Sequence, residues 1–221
     1  MNQLAILYEN DEIFVIDKPA GLAVQGGQGV SHSLDVDFAK QVGYKVFLVH
    51  RLDKDTSGLM IVAKTPLAAA KWTKLIGSKV AKKEYAALCI GRMGAASGVI
   101  KESLIQHGEE KTAVTHFQVE KEWTLSAQES ESEENTSIPL TLIRLKLETG
   151  RMHQIRIHLA KNGCPIAGDD QHGNFKMNKK LRKVLGIKRL QLASVRLTLP
   201  IDGKEKVFEL LLPFDLKNID K

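Results

Sequence analysis

The chain has 221 residues, 43% of them hydrophobic, enough to pack one large domain or two small ones. Its net charge of +6 favours a polyanionic partner, and two cysteines, Cys89 and Cys164, exclude a disulfide framework or a thiolate metal site and are expected as reduced, buried thiols. No apolar stretch reaches membrane-spanning length, and the acidic opening MNQLAILYENDE lacks the basic flank of a signal peptide, so a cytoplasmic protein with no membrane partner is expected.

Leu4 to Tyr8 and Ile13 to Ile16 read as two short strands broken by Glu9-Asn10-Asp11-Glu12. Lys18-Pro19 ends the second, because proline has no amide hydrogen for a ladder. Gly26-Gly27-Gln28-Gly29 is a loop without the spacing or the Lys-Ser/Thr ending of a phosphate-binding loop, so no nucleotide cofactor is expected. The apolar run Phe47 to Val49 then feeds a polar knot, His50-Arg51-Leu52-Asp53-Lys54-Asp55, with five ionisable side chains in six positions. Thr56-Ser57-Gly58 is expected to turn the chain, and a second apolar run, Leu59 to Ala63, leaves it. Such a knot on rigid flanks suits a functional site, although a charged hairpin turn in solvent carries the same pattern.

Thr65-Pro66 starts a helix, threonine as N-cap and proline at the first helical position. Ala68, Trp72, Leu75 and Ile76 recur at helical spacing opposite Lys71, Lys74 and Ser78, so Trp72 is expected in the core rather than stacked on a base. Strands are predicted over Glu84–Ile90, Gly98–Ile105 and Thr112–Val119, with a turn over Gly91–Ser97. Residues 122–139 hold five acids and no base, so the rest of the chain carries +11. Within them, the Glu/Ser-rich stretch 124–138 is expected to be a mobile surface loop. A strand resumes at Leu140 and stops at Thr149-Gly150, and a helix follows from about His153 to Asn162-Gly163. Phe175 to Arg189 has seven bases and no acid around the apolar Leu181, Val184 and Leu185: a basic amphipathic helix, either solvated or touching phosphate. Val195–Leu199 and Val207–Leu212 finish as strands. Many strands, short turns and about three irregularly placed helices predict an α+β fold with a mostly antiparallel sheet.

Four stretches in order carry a resemblance. Asp17-Lys18-Pro19-Ala20-Gly21, His50-Arg51-Leu52-Asp53-Lys54-Asp55-Thr56-Ser57-Gly58-Leu59, Lys83-Glu84-Tyr85-Ala86-Ala87 and Thr149-Gly150-Arg151-Met152-His153-Gln154-Ile155-Arg156-Ile157-His158 resemble the motifs of RluA-type pseudouridine synthases. The resemblance implies a single catalytic domain over 1–221, without the additional N-terminal RNA-binding domain of some relatives. Its α+β fold would be one mixed sheet with helices around it and a cleft across the middle. The implied activity is isomerisation of specific uridines in ribosomal or transfer RNA, with no cofactor and no metal, by a protein expected to be a monomer.

By resemblance Asp53 supplies the carboxylate, acting on ribose C1′ as nucleophile or on the C2′ proton as base. Arg156 is expected against Asp53, lowering its pKa by roughly 1–3 units. Tyr85 would pack on the flipped uracil and offer a phenol. Arg51 would fill the gap left by the extruded base, and His50, Arg151, His153, Lys179, Lys180 and Lys183 are the further candidates for RNA contact. Taken singly, Arg156 reads as a surface helix cation and Tyr85 as a core aromatic. Two positions depart from the family pattern: in Gly168-Asp169-Asp170-Gln171-His172-Gly173, His172 replaces a tyrosine, and Arg189-Leu190-Gln191-Leu192-Ala193-Ser194 lacks a histidine.

Two other classes compete. Asp53-Lys54-Asp55-Thr56 also fits the D-x-D-x-T of magnesium-dependent phosphatases of the haloacid dehalogenase type, but His50-Arg51 spoils the hydrophobic strand that should run into the first aspartate. A non-catalytic RNA-binding module would keep the basic surface and has no need of Asp53, Tyr85 and Arg156 together.

Overall fold

The computed structural model describes residues 3–27, 31–127 and 136–214. Its elements in chain order are β1 (Ala5–Glu9), β2 (Ile13–Lys18), α1 (Leu34–Val42), β3 (Phe47–Leu48), β4 (Ser57–Ala63) and α2 (Pro66–Gly77). Next come β5 (Lys82–Ile90), β6 (Ser97–Lys101), β7 (Leu104–Gln106), β8 (Glu109–Lys111), β9 (Val114–Ala127) and β10 (Thr136–Leu147). The chain continues through α3 (Gln154–Lys161), α4 (Phe175–Val184), β11 (Leu192–Ile201) and β12 (Lys204–Glu209). These elements pack as two compact units, Met1–Lys83 with Ala193–Leu211 and Glu84–Leu192 with Leu212–Lys221. Among the described residues no helix is long and apolar enough to cross a membrane.

In the first unit the strand order is β1-β2-β4-β11, with β3 paired to β4 and β12 to β11. All pairs are antiparallel except β11 with β4, which run parallel where Ala193 meets Ser57 and Ser194 meets Gly58. The sheet is therefore mixed and mostly antiparallel, as expected. β2 and β4 read as unbroken apolar runs because both of their faces are covered. On one side α2 lays Ala68 and Trp72 onto Ile13, Val15, Leu59, Ile61, Leu197 and Leu199. Trp72 is core, and its indole N–H is satisfied by Glu12 Oε2 at 2.9 Å. Thr65 caps this helix as predicted, its Oγ1 accepting from the Ala68 amide at 3.1 Å.

Phe38 of α1 meets Phe14 of β2 edge-on at 5.1 Å. Helix α1 escaped the sequence reading because only Leu34 and Phe38 of its nine residues are buried, too few for a periodic stripe. Its end signals were there: acidic Asp35 and Asp37 in the first turn, and Gly43 closing it at φ 84°. The turn in the polar knot also differs from expectation. It falls at Lys54-Asp55, closed by the Thr56 amide on Asp53 O at 3.2 Å, and Ser57-Gly58 already belong to β4.

In the second unit the order is β5-β10-β9-β6, all antiparallel, and β7 pairs with β8 in a separate hairpin. The predicted strand Gly98–Ile105 breaks after Lys101 and resumes at Leu104. The acidic loop expected over 124–138 is shorter than composition suggested. Thr124 to Ala127 and Thr136 to Ile138 are strand, with Leu125 opposite Ile138 and Thr124 opposite Pro139, while 128–135 lie outside the described residues. Cross-strand pairing next to buried Trp123 and Ile138 extends the hairpin past the point where hydrophobicity falls. Both cysteines are free and buried, as expected. Helix α4 ends at Val184 rather than running to Arg189, and only Leu181 of its apolar stripe is fully buried.

Gly58 has φ +103°, and a Cβ there would lie 2.1 Å from the Ser194 carbonyl oxygen, so the short parallel contact requires glycine. Gly58→Ala should cost at least about 2 kcal/mol in chemical denaturation. Gly94→Ala, where nothing lies within 4 Å, should stay within about 0.5 kcal/mol of the parent.

Candidate active site

In the first unit the knot between β3 and β4 is fastened at its apolar positions. Val49, Leu52 and Thr56 are buried, Asp53 and Asp55 are half-buried, and Arg51 and Lys54 are exposed. Beneath it lies Lys18, wholly buried at the end of β2. Its Nζ donates to Pro19 O at 3.0 Å, Leu22 O at 2.8 Å and Lys54 O at 2.9 Å, the full complement of an ammonium group. The Gly21 amide donates to the same Lys54 carbonyl at 2.9 Å. The Lys-Pro-x-Gly stretch is thus a clamp on the backbone one residue beyond Asp53. Burial lowers the Lys18 pKa to about 8, against the pull of Asp55, Asp53 and Asp17, which favour its charge. In the sequence Lys18 stands out as a strand end and as part of the first family motif, with no role attached to its side chain.

His50, a candidate for RNA contact, is bonded to the backbone of β4. Its Nε2 accepts from the Ile61 amide at 3.0 Å, which makes it the neutral tautomer with the proton on the buried Nδ1. Burial, and then the nearby Lys83, hold its pKa well below the usual histidine range. The imidazole ties the knot to β4, and the burial that allows this is what denies it a charge.

In the second unit Tyr85 lies on β5, buried and opposite Leu145 of β10. The Thr149–His158 motif folds into a polar network around Gln154, which is 2% exposed. Gln154 Nε2 donates to Val114 O and Thr115 Oγ1, both at 3.0 Å, while its Oε1 accepts from Thr149 Oγ1 at 2.7 Å and the Arg151 amide at 3.0 Å. His158 bonds Thr115 Oγ1 at 3.0 Å and Glu102 O at 3.1 Å. Every polar atom of the Gln154 side chain is matched, which is what makes its burial tolerable.

Arg156 is 4% exposed, not a surface cation. It grips Asp169 with two bonds, Nε to Oδ2 at 2.8 Å and Nη2 to Oδ1 at 2.7 Å. Asp169 also accepts from the amides of Gln171 at 2.9 Å and His172 at 3.0 Å. Burial alone would raise this carboxyl; the Arg156 bonds and then the two amides outweigh it and hold the pKa below the ordinary value. Asn178 of α4 completes the loop, accepting from the Gly168 amide at 2.9 Å and donating to Asp169 O at 2.8 Å. The sequence assigns no site-building role to Asp169 or Asn178. On α4, Lys179 and Lys183 are exposed and Lys180 is half-buried, while Arg151 and His153 are half-buried before α3.

Residues 12–161 match the family described as RNA pseudouridylate synthase. Over 223 residues the chain is 34% identical to the ribosomal large subunit pseudouridine synthase C of Rickettsia prowazekii, covering 95% of this chain and 68% of that protein. It is 33% identical to the ribosomal large subunit pseudouridine synthase D of Nitrosomonas europaea, covering 96% of this chain and 63% of that one. The solved structure of human RNA pseudouridylate synthase domain containing 4 matches with a TM-score of 0.73 at 24% identity, over 97% of this chain and 92% of that one. That of domain containing 1 matches with a TM-score of 0.76 at 22% identity, over 98% and 86%. The chain belongs to the RNA pseudouridylate synthase family and is an RNA pseudouridine synthase, an isomerase. The phosphatase alternative finds no support: Asp53 lies four residues before β4 begins, not at the carboxyl end of a core strand.

Lys18→Met removes the side-chain donor from the Pro19 and Leu22 carbonyls and leaves the Lys54 carbonyl with the Gly21 amide, and should cost at least about 2 kcal/mol at pH 7. Because the folded pKa of Lys18 lies below its unfolded value of 10.5, the unfolded chain binds more protons between these limits, and stability should rise with pH there. From pH 8 to 10 the gap between parent and variant should widen by about 2 kcal/mol in denaturation curves.

Proposed function

We propose that this synthase isomerises specific uridines of ribosomal RNA, with Asp53 as the reacting carboxylate. The observation that carries the reading is the anchoring of the Asp53 turn: the adjacent Lys54 carbonyl is clamped by a buried ammonium group, which preorganises the carboxylate while leaving it half-exposed. Ribosomal RNA as target follows from the names of the relatives, and transfer RNA remains the alternative. The net charge of +6 and the acid-free face of α4 agree with an RNA partner.

The reaction breaks the C1′–N1 bond, turns the uracil and rebonds through C5; the C5 hydrogen leaves and N1 gains one, so the atoms balance without redox chemistry. Asp53 acts on C1′ or on the C2′ proton. Tyr85 holds the uracil ring, and its phenol is an acid or base for the proton exchange. Arg156 contributes positive charge from α3, oriented by its bidentate grip on Asp169. Arg51, exposed at the turn, takes the place of the extruded base, with Arg151, His153, Lys179, Lys180 and Lys183 contacting the RNA backbone. The protein works in the cytoplasm as a monomer with one catalytic domain and no cofactor.

RNA carrying tritium at uracil C5 should release it to water when incubated with the protein and excess chelator. Asp53→Asn should abolish that release while RNA affinity stays nearly unchanged, since the amide keeps the shape but can act neither as nucleophile nor as base. Release within tenfold of the parent would remove Asp53 from the central role. Changing Lys179, Lys180 and Lys183 together to Gln should weaken binding and flatten the dependence of log K on log salt by about two units, with turnover at saturating RNA little altered. Identical slopes would mean that α4 does not touch phosphate.

A further inference from the structure

Phe175 is the first residue of α4, and its ring is 66% exposed. Phe175, Lys179 and Arg182 stand at i, i+4 and i+7, one stripe of the helix, and all three are exposed, while Leu181 is wholly buried. The stripe is an aromatic ring at the head of a row of bases. The first turn also holds Lys176 and no acid, against the preference of a helix N-terminus for negative charge. Neither the bare ring nor the base in that turn helps the free protein. A nucleotide, an apolar face joined to a phosphate, would relieve both.

This end of α4 is firmly mounted. Asn174 caps the helix, its side chain accepting from the Met177 amide at 3.1 Å. Three residues beyond Phe175, the Asn178 side chain accepts from the Gly168 amide at 2.9 Å and donates to Asp169 O at 2.8 Å. A Cβ on Gly173 would lie 2.2 Å from Asp169 O, so the turn entering the helix packs tightly on that loop. Asp169 is the carboxylate that grips Arg156. The His153 and His172 rings, their centroids 5.2 Å apart, bring the loop of Met152, itself 63% exposed, to the same turn. A single exposed apolar side chain needs no explanation by itself. This one heads a basic stripe and is fixed to the loop that orients Arg156.

We propose that Phe175 is a stacking platform for an unpaired RNA base beside the target uridine, with Lys176 and Lys179 on the phosphates that flank that base. The proposal rests on the reading of α4 as a face toward RNA. Stacking selects single strands, because every base has a π-face and a duplex hides it between neighbours. The lysines alone make no such choice: phosphate contacts attract paired and unpaired RNA alike, with a strength that falls as salt rises. The ring carries no charge, so its contribution is specific to unpaired bases and leaves the salt dependence unchanged.

The test titrates the full chain and its Phe175→Leu and Phe175→Trp variants with an RNA strand of adenines and cytosines alone, and with the duplex that strand forms with its complement. Phe175→Leu should weaken binding of the single strand about tenfold and that of the duplex by less than about twofold, with the slope of log K on log salt unaltered. Phe175→Trp should bind the strand at least as tightly as the parent. Its added indole emission should be quenched by the strand and not by the duplex, after subtraction of the parent's two tryptophans. Equal losses on strand and duplex in the Leu variant, no loss on either, or an unquenched indole in the Trp variant would each overturn the proposal. So would failure of the parent to bind the strand. Should the Leu variant lose stability, the quenching decides by itself. None of these measurements needs turnover, so failure of the isomerase reading is distinguishable from failure of this one. Strand binding that survives in Phe175→Leu but is lost when Lys179, Lys180 and Lys183 become Gln would remove the stacking and leave α4 as a phosphate-binding face.

Discussion

A charged amine with no solvent exposure holds the Asp53 turn in shape. Lys18 is costly to bury, and the cost is offset because its three protons meet three carbonyls at 2.8 to 3.0 Å and three aspartates favour its charge. Those carbonyls come from two separate stretches, Pro19–Leu22 and Lys54, so the one side chain draws together segments that local sequence would leave independent. Loops carry function when a rigid scaffold positions them. Here the scaffold is β2 and β4, antiparallel neighbours in the core of the first unit, and Lys18 is the point where the loop is fastened to them.

The second unit solves the same problem with neutral amides and one ion pair. Gln154 and His158 bring the Thr149–His158 motif under cover by matching their side-chain atoms with β9 and with the motif's own backbone. Arg156 is then set by the fork of bonds to Asp169, which is held in turn by two amides and, through its carbonyl, by Asn178. A buried guanidinium held by a bidentate carboxylate has little freedom of direction. In both units charged groups are orientated by fixed neighbours, an arrangement that favours electrostatic preorganisation over flexibility.

The charge distribution divides the labour further. Residues 122–139 of the sequence hold five acids and no base, and the bases of α4 stand without a compensating acid in that helix.

The sequence by itself determined the family, the chemistry it performs and most of the strands, because those rest on local order: motif spacing, apolar runs and a Thr-Pro helix start. It missed α1, whose two buried residues make no stripe, and it overextended the acidic loop, since pairing between Leu125 and Ile138 depends on a partner strand rather than on composition. Side-chain roles were the least legible. Lys18, a strand end within the first motif, is the clamp; His50, a candidate for RNA contact, is neutral and bonded to β4; Arg156, expected against Asp53, is buried with a bidentate grip on Asp169. Each of these was decided by tertiary structure alone, because the charge and partner of an ionisable group depend on its burial and on residues distant in sequence, and neither is encoded in the residue's own neighbourhood.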